Sequence, residues 1–111
     1  MERYSFSYGA FHITAVPGQP QLAHCHGFFV PIDFRGLGYG NKLKKKQMEM
    51  LARGQFDYAT CTVDSSNHAQ RAILEKNGWT QLSSFSNRRN GSETELWGWV
   101  VTHLPNTEEQ E

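Results

Sequence analysis

The run Arg35-Gly36-Leu37-Gly38-Tyr39-Gly40 lies between a strand-like segment and a stretch of helix formers, and it constrains the fold more than any other feature of the chain. Glycine tolerates positive φ and has no Cβ, so alternating glycines let a loop turn its backbone N–H groups inward toward a ligand. Beyond Gly40, residues 41–53 are Asn, Lys, Leu, Gln, Met, Glu, Ala and Arg with no Gly or Pro, which predicts a helix over residues 39–53. The start of such a helix adds unpaired N–H donors and a partial positive charge. Loop and helix together therefore predict an anion cradle, with Arg35 as a charged partner and Lys42, Lys44, Lys45 and Lys46 at hand for a further phosphate.

Around that loop the chain reads as alternating elements. Residues 3–16 alternate aromatic or β-branched with small polar side chains and bend at Gly9, which predicts a strand pair or one bent strand. Pro17-Gly18-Gln19-Pro20 predicts a turn, and residues 21–30 a second extended segment. In the helix, Leu43, Met50 and Leu51 form an apolar stripe, and Gly54 is a C-terminal stop. Residues 56–63 read as a strand. Asp64-Ser65-Ser66-Asn67 offers caps for a helix over 69–76 that ends at Asn77-Gly78. Residues 79–85 and 94–104 read as strands around a turn containing Asn90-Gly91. The expectation is a single domain over residues 1–104 of the α/β (α+β) class, three-layered with a mixed central sheet, and a disordered tail over 105–111.

The 11 Lys plus Arg equal the 11 Asp plus Glu, so no basic excess drives non-specific binding to nucleic acid or an anionic membrane, and anion affinity must be local. Cys25 and Cys61 lack CxxC spacing and read as free thiols, although one disulfide between neighbouring strands stays open. Nothing near the start resembles a signal peptide, and a reducing, cytoplasmic setting is expected. His12, His24 and His26 show no ligand spacing for a metal, and no metal is expected.

The glycine spacing does not match GxGxxG, and GxxxxGK[ST] is absent. Arg35-x-x-Gly38-x-Gly40 instead resembles the R/Q-x-x-G-x-G/A motif of the GNAT acetyltransferase superfamily. Alone, the pattern also suits a glycine-rich surface turn beside a solvated lysine face. A second match supports the family: residues 67–79 read N-x-x-x-x-x-x-L-E-K-x-G-W, similar to its N-x-x-[AS]-x-x-x-[YL]-E-K-x-G-[FW] segment, and the likeness covers about residues 21–104.

The resemblance implies an acetyl-CoA-dependent N-acetyltransferase working by direct transfer to an amine, with acetyl-CoA as cosubstrate. It places the pyrophosphate on Arg35, Gly36, Leu37, Gly38, Tyr39, Gly40 and Asn41, and the pantetheine arm on the exposed edge of Phe28, Phe29 and Val30. The acetyl carbonyl would be held there by backbone N–H. Asn67 is a pantetheine partner, a helix cap, or both.

Many members carry a Tyr acid immediately before the Glu-Lys pair; Leu74 stands there in this chain, as in the subgroup that acetylates protein N-termini and ribosomal proteins. His24 and His26 share strand parity with Phe28 and are the base candidates, against structural roles as paired histidines. Typical members place a strand and two helices ahead of these elements, and only about 20 residues precede the central strand here, so a shortened N-terminus is expected. That leaves the acceptor site open to a protein or peptide, or completed by a second copy, and Tyr4, Phe6, Trp97 and Trp99 suggest surfaces for a homodimer to cover. The competing reading is a GNAT-like module that binds CoA or a partner protein without turnover.

Overall fold

The structure, a computed structural model, describes residues 2–89 and 91–102. Strand β1 (Glu2–Phe6) pairs antiparallel with β2 (Gly9–Val16) as a true hairpin whose turn is Ser7-Tyr8, just ahead of the expected bend at Gly9. Strand β3 (Gln19–Phe29) returns antiparallel along β2, and a 3-10 turn (Ile32–Phe34) leads to helix α1 (Tyr39–Arg53). Strand β4 (Tyr58–Asp64) runs parallel to β3, helix α2 (His68–Lys76) follows, and the antiparallel strands β5 (Thr80–Ser86) and β6 (Glu93–Val100) complete the sheet. The sheet has six strands in the order β1-β2-β3-β4-β6-β5, mostly antiparallel, with β3–β4 as its parallel pair.

The turn expected over residues 17–20 is shorter than its sequence suggests. Pro17-Gly18 alone makes the turn, with Gly18 at φ 78°, and Pro20 lies inside β3. Proline is tolerated there because the ladder with β4 begins only at Leu22, and the ladder with β2 skips from Ala23 to Gln19. The tail over 105–111, and the last residues of the strand expected over 94–104, lie outside the described residues.

Helix α1 ends as expected at Gly54, whose N–H reaches the carbonyls of Met50 and Leu51. Helix α2 starts on Asn67, whose side chain accepts from the Gln70 N–H at 3.1 Å. Both helices pack on the sheet face to which Cys25, Cys61 and Val63 point, and there they touch each other through Asn77 Nδ2 and Asn41 Oδ1 at 2.7 Å. Phe11, Leu43, Leu51, Ala23 and Ala59 are fully excluded from solvent in this core, and each of the large side chains contributes about 2 kcal/mol by burial.

The aromatics expected to need a partner are buried or partly buried within the chain. Trp97 is buried, Trp99 stacks on Trp79 at 5.9 Å, and Tyr4 and Phe6 pack on Phe11. Among the described residues, the large apolar side chains left exposed are Phe29, Ile32, Leu37, Leu82, Phe85 and Val100. The opposite sheet face carries His12, His24 and His26, and among the described residues no helix covers it. None of the described helices is long and apolar enough to cross a membrane.

Candidate functional site

The glycine loop has the geometry its sequence predicts. Gly36 (φ 76°) and Gly38 (φ 86°) adopt left-handed conformations, and a Cβ at either would meet open space, so conformation rather than crowding requires glycine there. Gly38 caps α1 without a side-chain acceptor, and the first recorded bond into the helix is Lys42 N–H to Gly38 carbonyl at 3.2 Å. The backbone N–H groups in the first turn of α1 consequently have no intrahelical acceptor. Gly40 has a different reason: a Cβ there would lie 2.7 Å from Ile73 Cδ1, so its glycine lets α1 approach α2.

The charges around the loop are distributed differently from the sequence reading. Arg35 donates Nε–H to the Val30 carbonyl at 2.7 Å and lies 5.6 Å from the Phe29 ring centroid, tying the loop to the end of β3. Lys44 is buried beneath the helix, Lys46 pairs with Glu49 at 3.1 Å, and Lys42 lies over the Tyr8 ring at 4.8 Å. The expected lysine cluster is thus dispersed, because the helical twist sends consecutive residues to different faces. Lys76 on α2 is a cation that the sequence reading did not anticipate at the site.

Strands β3 and β4 separate beyond the parallel pairs Leu22–Tyr58 through Cys25–Cys61, although β3 runs on to Phe29 and β4 to Asp64. The divergence starts at Gly27 (φ 64°), where the β2–β3 ladder also shifts; a Cβ at this position would lie 2.5 Å from His12 Nδ1. Two neighbouring hollows result. A cavity of about 630 Å³ runs from Phe28, Phe29 and Val30 past Arg35, Gly36, Gly38, Gly40 and Asn41 to Asn67 and the exposed side of α2. Of the expected cofactor contacts, Leu37 and Tyr39 do not line it: Leu37 is exposed and Tyr39 packs on Tyr8 and Phe34. The second hollow, about 260 Å³, is the cleft between the separated strands and shares Phe28, Asn67 and Gln70 with the first.

The cleft is lined by His26, Lys44, Gln47, Asp64 and the buried Leu74. His26 Nε2 bonds Thr14 Oγ1 at 2.8 Å, and its ring stacks on His12 at 5.0 Å and His24 at 6.0 Å. His24 lies one pair further from the cleft and does not line it; its Nδ1 bonds Thr60 Oγ1 at 2.9 Å. Burial, and then the neighbouring His26, lowers the His24 pKa and favours the neutral imidazole. Burial pushes the Cys25 thiol up to about 12 and raises Cys61, so both remain neutral thiols. Both cysteines are free. Asp64 is held near 2 by the hydroxyls of Ser66 and Ser92.

Gln47 was not anticipated, and Lys44 was expected beside the phosphate loop rather than in this cleft. Their signal was nonetheless present, since residues 40, 44, 47 and 51 fall on one helical stripe together with Leu43. Among the described residues, no group of three or more His, Cys, Asp or Glu is arranged to hold a metal.

The sequence matches the family model "Acetyltransferase (GNAT) family" over residues 8–79, and the chain belongs to that family. A search of curated proteins finds no match. Among solved structures, the fold is similar to a GNAT-family acetyltransferase from Streptococcus pneumoniae (TM-score 0.76, 18% identity, 86% of this chain and 60% of that one). It is also similar to the ribosomal-protein-S18-alanine N-acetyltransferase from Escherichia coli (TM-score 0.73, 14% identity, 89% and 64%). A third similar structure is yncA from Salmonella typhimurium, solved with its cofactor acetyl-CoA (TM-score 0.76, 13% identity, 88% and 60%). The chain therefore spans about three-fifths of the length of these structures.

Proposed function

We propose that this protein binds acetyl-CoA and transfers the acetyl group directly to an amine of a protein or peptide. One observation carries the reading: the glycine loop and the first turn of α1, whose N–H groups lack an intrahelical acceptor, sit where Gly36, Gly38, Gly40 and Asn41 line the larger cavity. In this reading they and Arg35 hold the pyrophosphate, and Lys76 adds charge at the same cavity. The edge of β3 at Phe28, Phe29 and Val30, freed by the divergence from β4, pairs with the amides of the pantetheine arm, and Asn67 adds a side-chain contact.

Transfer forms a bond from the acceptor nitrogen to the carbonyl carbon and breaks the C–S bond; one proton leaves the nitrogen and one reaches the thiolate. His26 lines the cleft and is the better base candidate; His24 stands behind it. Leu74 has no proton to give, so water serves as the acid. The E. coli neighbour acts on a ribosomal protein, as its name states, and Leu74 in the motif of residues 67–79 makes a protein terminus the acceptor to try first. Free, buried Cys25 and Cys61 fit a cytoplasmic setting. In a homodimer, the exposed Leu82, Phe85 and Val100 replace the aromatics as the surface to cover, which light scattering on the eluted protein checks.

A CoA-binding module without turnover is the second reading, favoured by Leu74 and by the engagement of both histidines with threonines. Calorimetric titration with acetyl-CoA, followed by thiol release against a peptide panel, separates the two. Saturable binding that Arg35→Glu weakens at least about tenfold supports the cofactor site. Absence of binding overturns it. Binding without thiol release for any amine, unchanged by His26→Ala, establishes the module.

A further inference from the structure

Lys44 and Gln47 form a buried polar pair without a structural partner of opposite charge. Lys44 is 2% exposed and Gln47 is 0%. The Lys44 ammonium donates to Gln47 Oε1 at 2.7 Å and otherwise faces the rings of Trp79 at 4.4 Å and Phe28 at 4.9 Å. Aromatic faces attract a cation but do not neutralise it. Among the described residues no carboxylate pairs with Lys44. Its titratable neighbours Cys25 and Cys61 are neutral thiols, Glu95 is taken by Arg71 and Trp97, and Asp64 is held by Ser66 and Ser92. Gln47 Nε2 is buried and has no hydrogen-bond partner among the described residues.

Burial lowers the Lys44 pKa, so without a counter-ion its charged form is disfavoured, and an amide donor without an acceptor is likewise costly to bury; a carboxylate beside Lys44 would restore the ammonium. Here the two residues occur one helical turn apart, and both line the cleft between β3 and β4. A carboxylate satisfies both at once, as a counter-charge for Lys44 and an acceptor for Gln47 Nε2. The methyl of an acetyl group satisfies neither. At about 260 Å³, where one water takes about 30 Å³, the cleft has room for several atoms beyond an acetyl carbon.

We propose that this cleft receives the acyl group of the donor and that Lys44 and Gln47 select a donor whose acyl chain ends in a carboxylate, a CoA thioester of a short dicarboxylic acid. The inference rests on the cofactor reading above and names the acyl class that the same site prefers. Asn67 and Gln70, common to both hollows, are where the pantetheine arm passes from the cavity into the cleft.

The test is calorimetry on the full chain with CoA, acetyl-CoA, butyryl-CoA and succinyl-CoA, the last two having acyl chains of equal carbon number, neutral and charged. Succinyl-CoA should bind at least tenfold more tightly than butyryl-CoA. Lys44→Met should erase that preference while CoA itself binds within twofold of wild type; Gln47→Leu, the second variant, should reduce the preference. Equal binding of the two thioesters by the wild-type protein overturns the proposal without recourse to a variant, as does a preference that survives Lys44→Met. If CoA binds normally in those cases, the cofactor reading stands and the pair is solvated by trapped water. If no CoA species binds, the cofactor reading fails and takes this proposal with it.

Discussion

At Gln47 one side-chain amide makes a single bond and leaves its buried nitrogen without a partner among the described residues, so each partner of the Lys44–Gln47 pair is exposed to loss of the other. Gln47→Leu removes the acceptor and leaves the ammonium alone with two rings. Urea unfolding should show a loss of about 2 kcal/mol for that variant. The double variant Lys44→Met with Gln47→Leu removes both polar groups and should return to within about 1 kcal/mol of wild type, because neither buried group then lacks a partner. His24 gives a second residue-scale effect. Its folded pKa lies below the unfolded value, so the unfolded chain takes up the proton more readily; the associated stability is complete above about pH 6.5 and is lost as pH falls below it. Unfolding midpoints should decline between pH 7 and 5, and His24→Gln should flatten that decline. Asp64 acts in a separate window: with its pKa held near 2, its contribution is present above about pH 4 and fades toward pH 2.

Each element near the site depends on one residue whose substitution is informative. Strand β3 bends at Gly27, where positive φ and the His12 ring at 2.5 Å from a would-be Cβ both exclude a side chain. Gly27→Ala should cost about 2 kcal/mol in urea unfolding, and it should weaken CoA binding because the divergence of β3 from β4 begins there. Helix α2 begins on Asn67, so Asn67→Ala should cost about 1 kcal/mol of stability, while Asn67→Asp keeps the cap. If Asn67 also contacts the pantetheine arm, calorimetry should show Asn67→Asp binding CoA less well despite wild-type stability. Helix α1 shows where a linear reading stops. Its bounds, 39–53, and its glycine stop were plain in the sequence, since they depend on local propensity and capping. The burial of Lys44 was not, because a lysine within Lys44-Lys45-Lys46 looks like part of a solvated face until the neighbouring helix is placed.

In the whole molecule the two faces of one sheet are treated unequally: both helices cover the Cys25 and Cys61 face, and the histidine face carries none among the described residues. Ligand binding to the folded chain alone should stabilise it by about 2.7 kcal/mol at a hundredfold excess over Kd. Acetyl-CoA should therefore raise the midpoint of thermal unfolding, and Arg35→Glu, binding about tenfold more weakly, should cut the stabilisation to about 1.4 kcal/mol or less at the same concentration. The amino-acid sequence by itself determined what depends on neighbours along the chain: strand and helix order, the Gly36 and Gly38 turn, the Asn67 cap, and two motifs spaced as the family spaces them. The tertiary structure alone decided what depends on distant packing. Whether β3 separates from β4, why Gly40 must be small beside Ile73, where Trp97 finds cover, and which lysine is left in the cleft without a counter-ion all follow from contacts between segments far apart in the chain. Local propensity carries no record of such contacts, because the free energy that selects them arises only when the core closes.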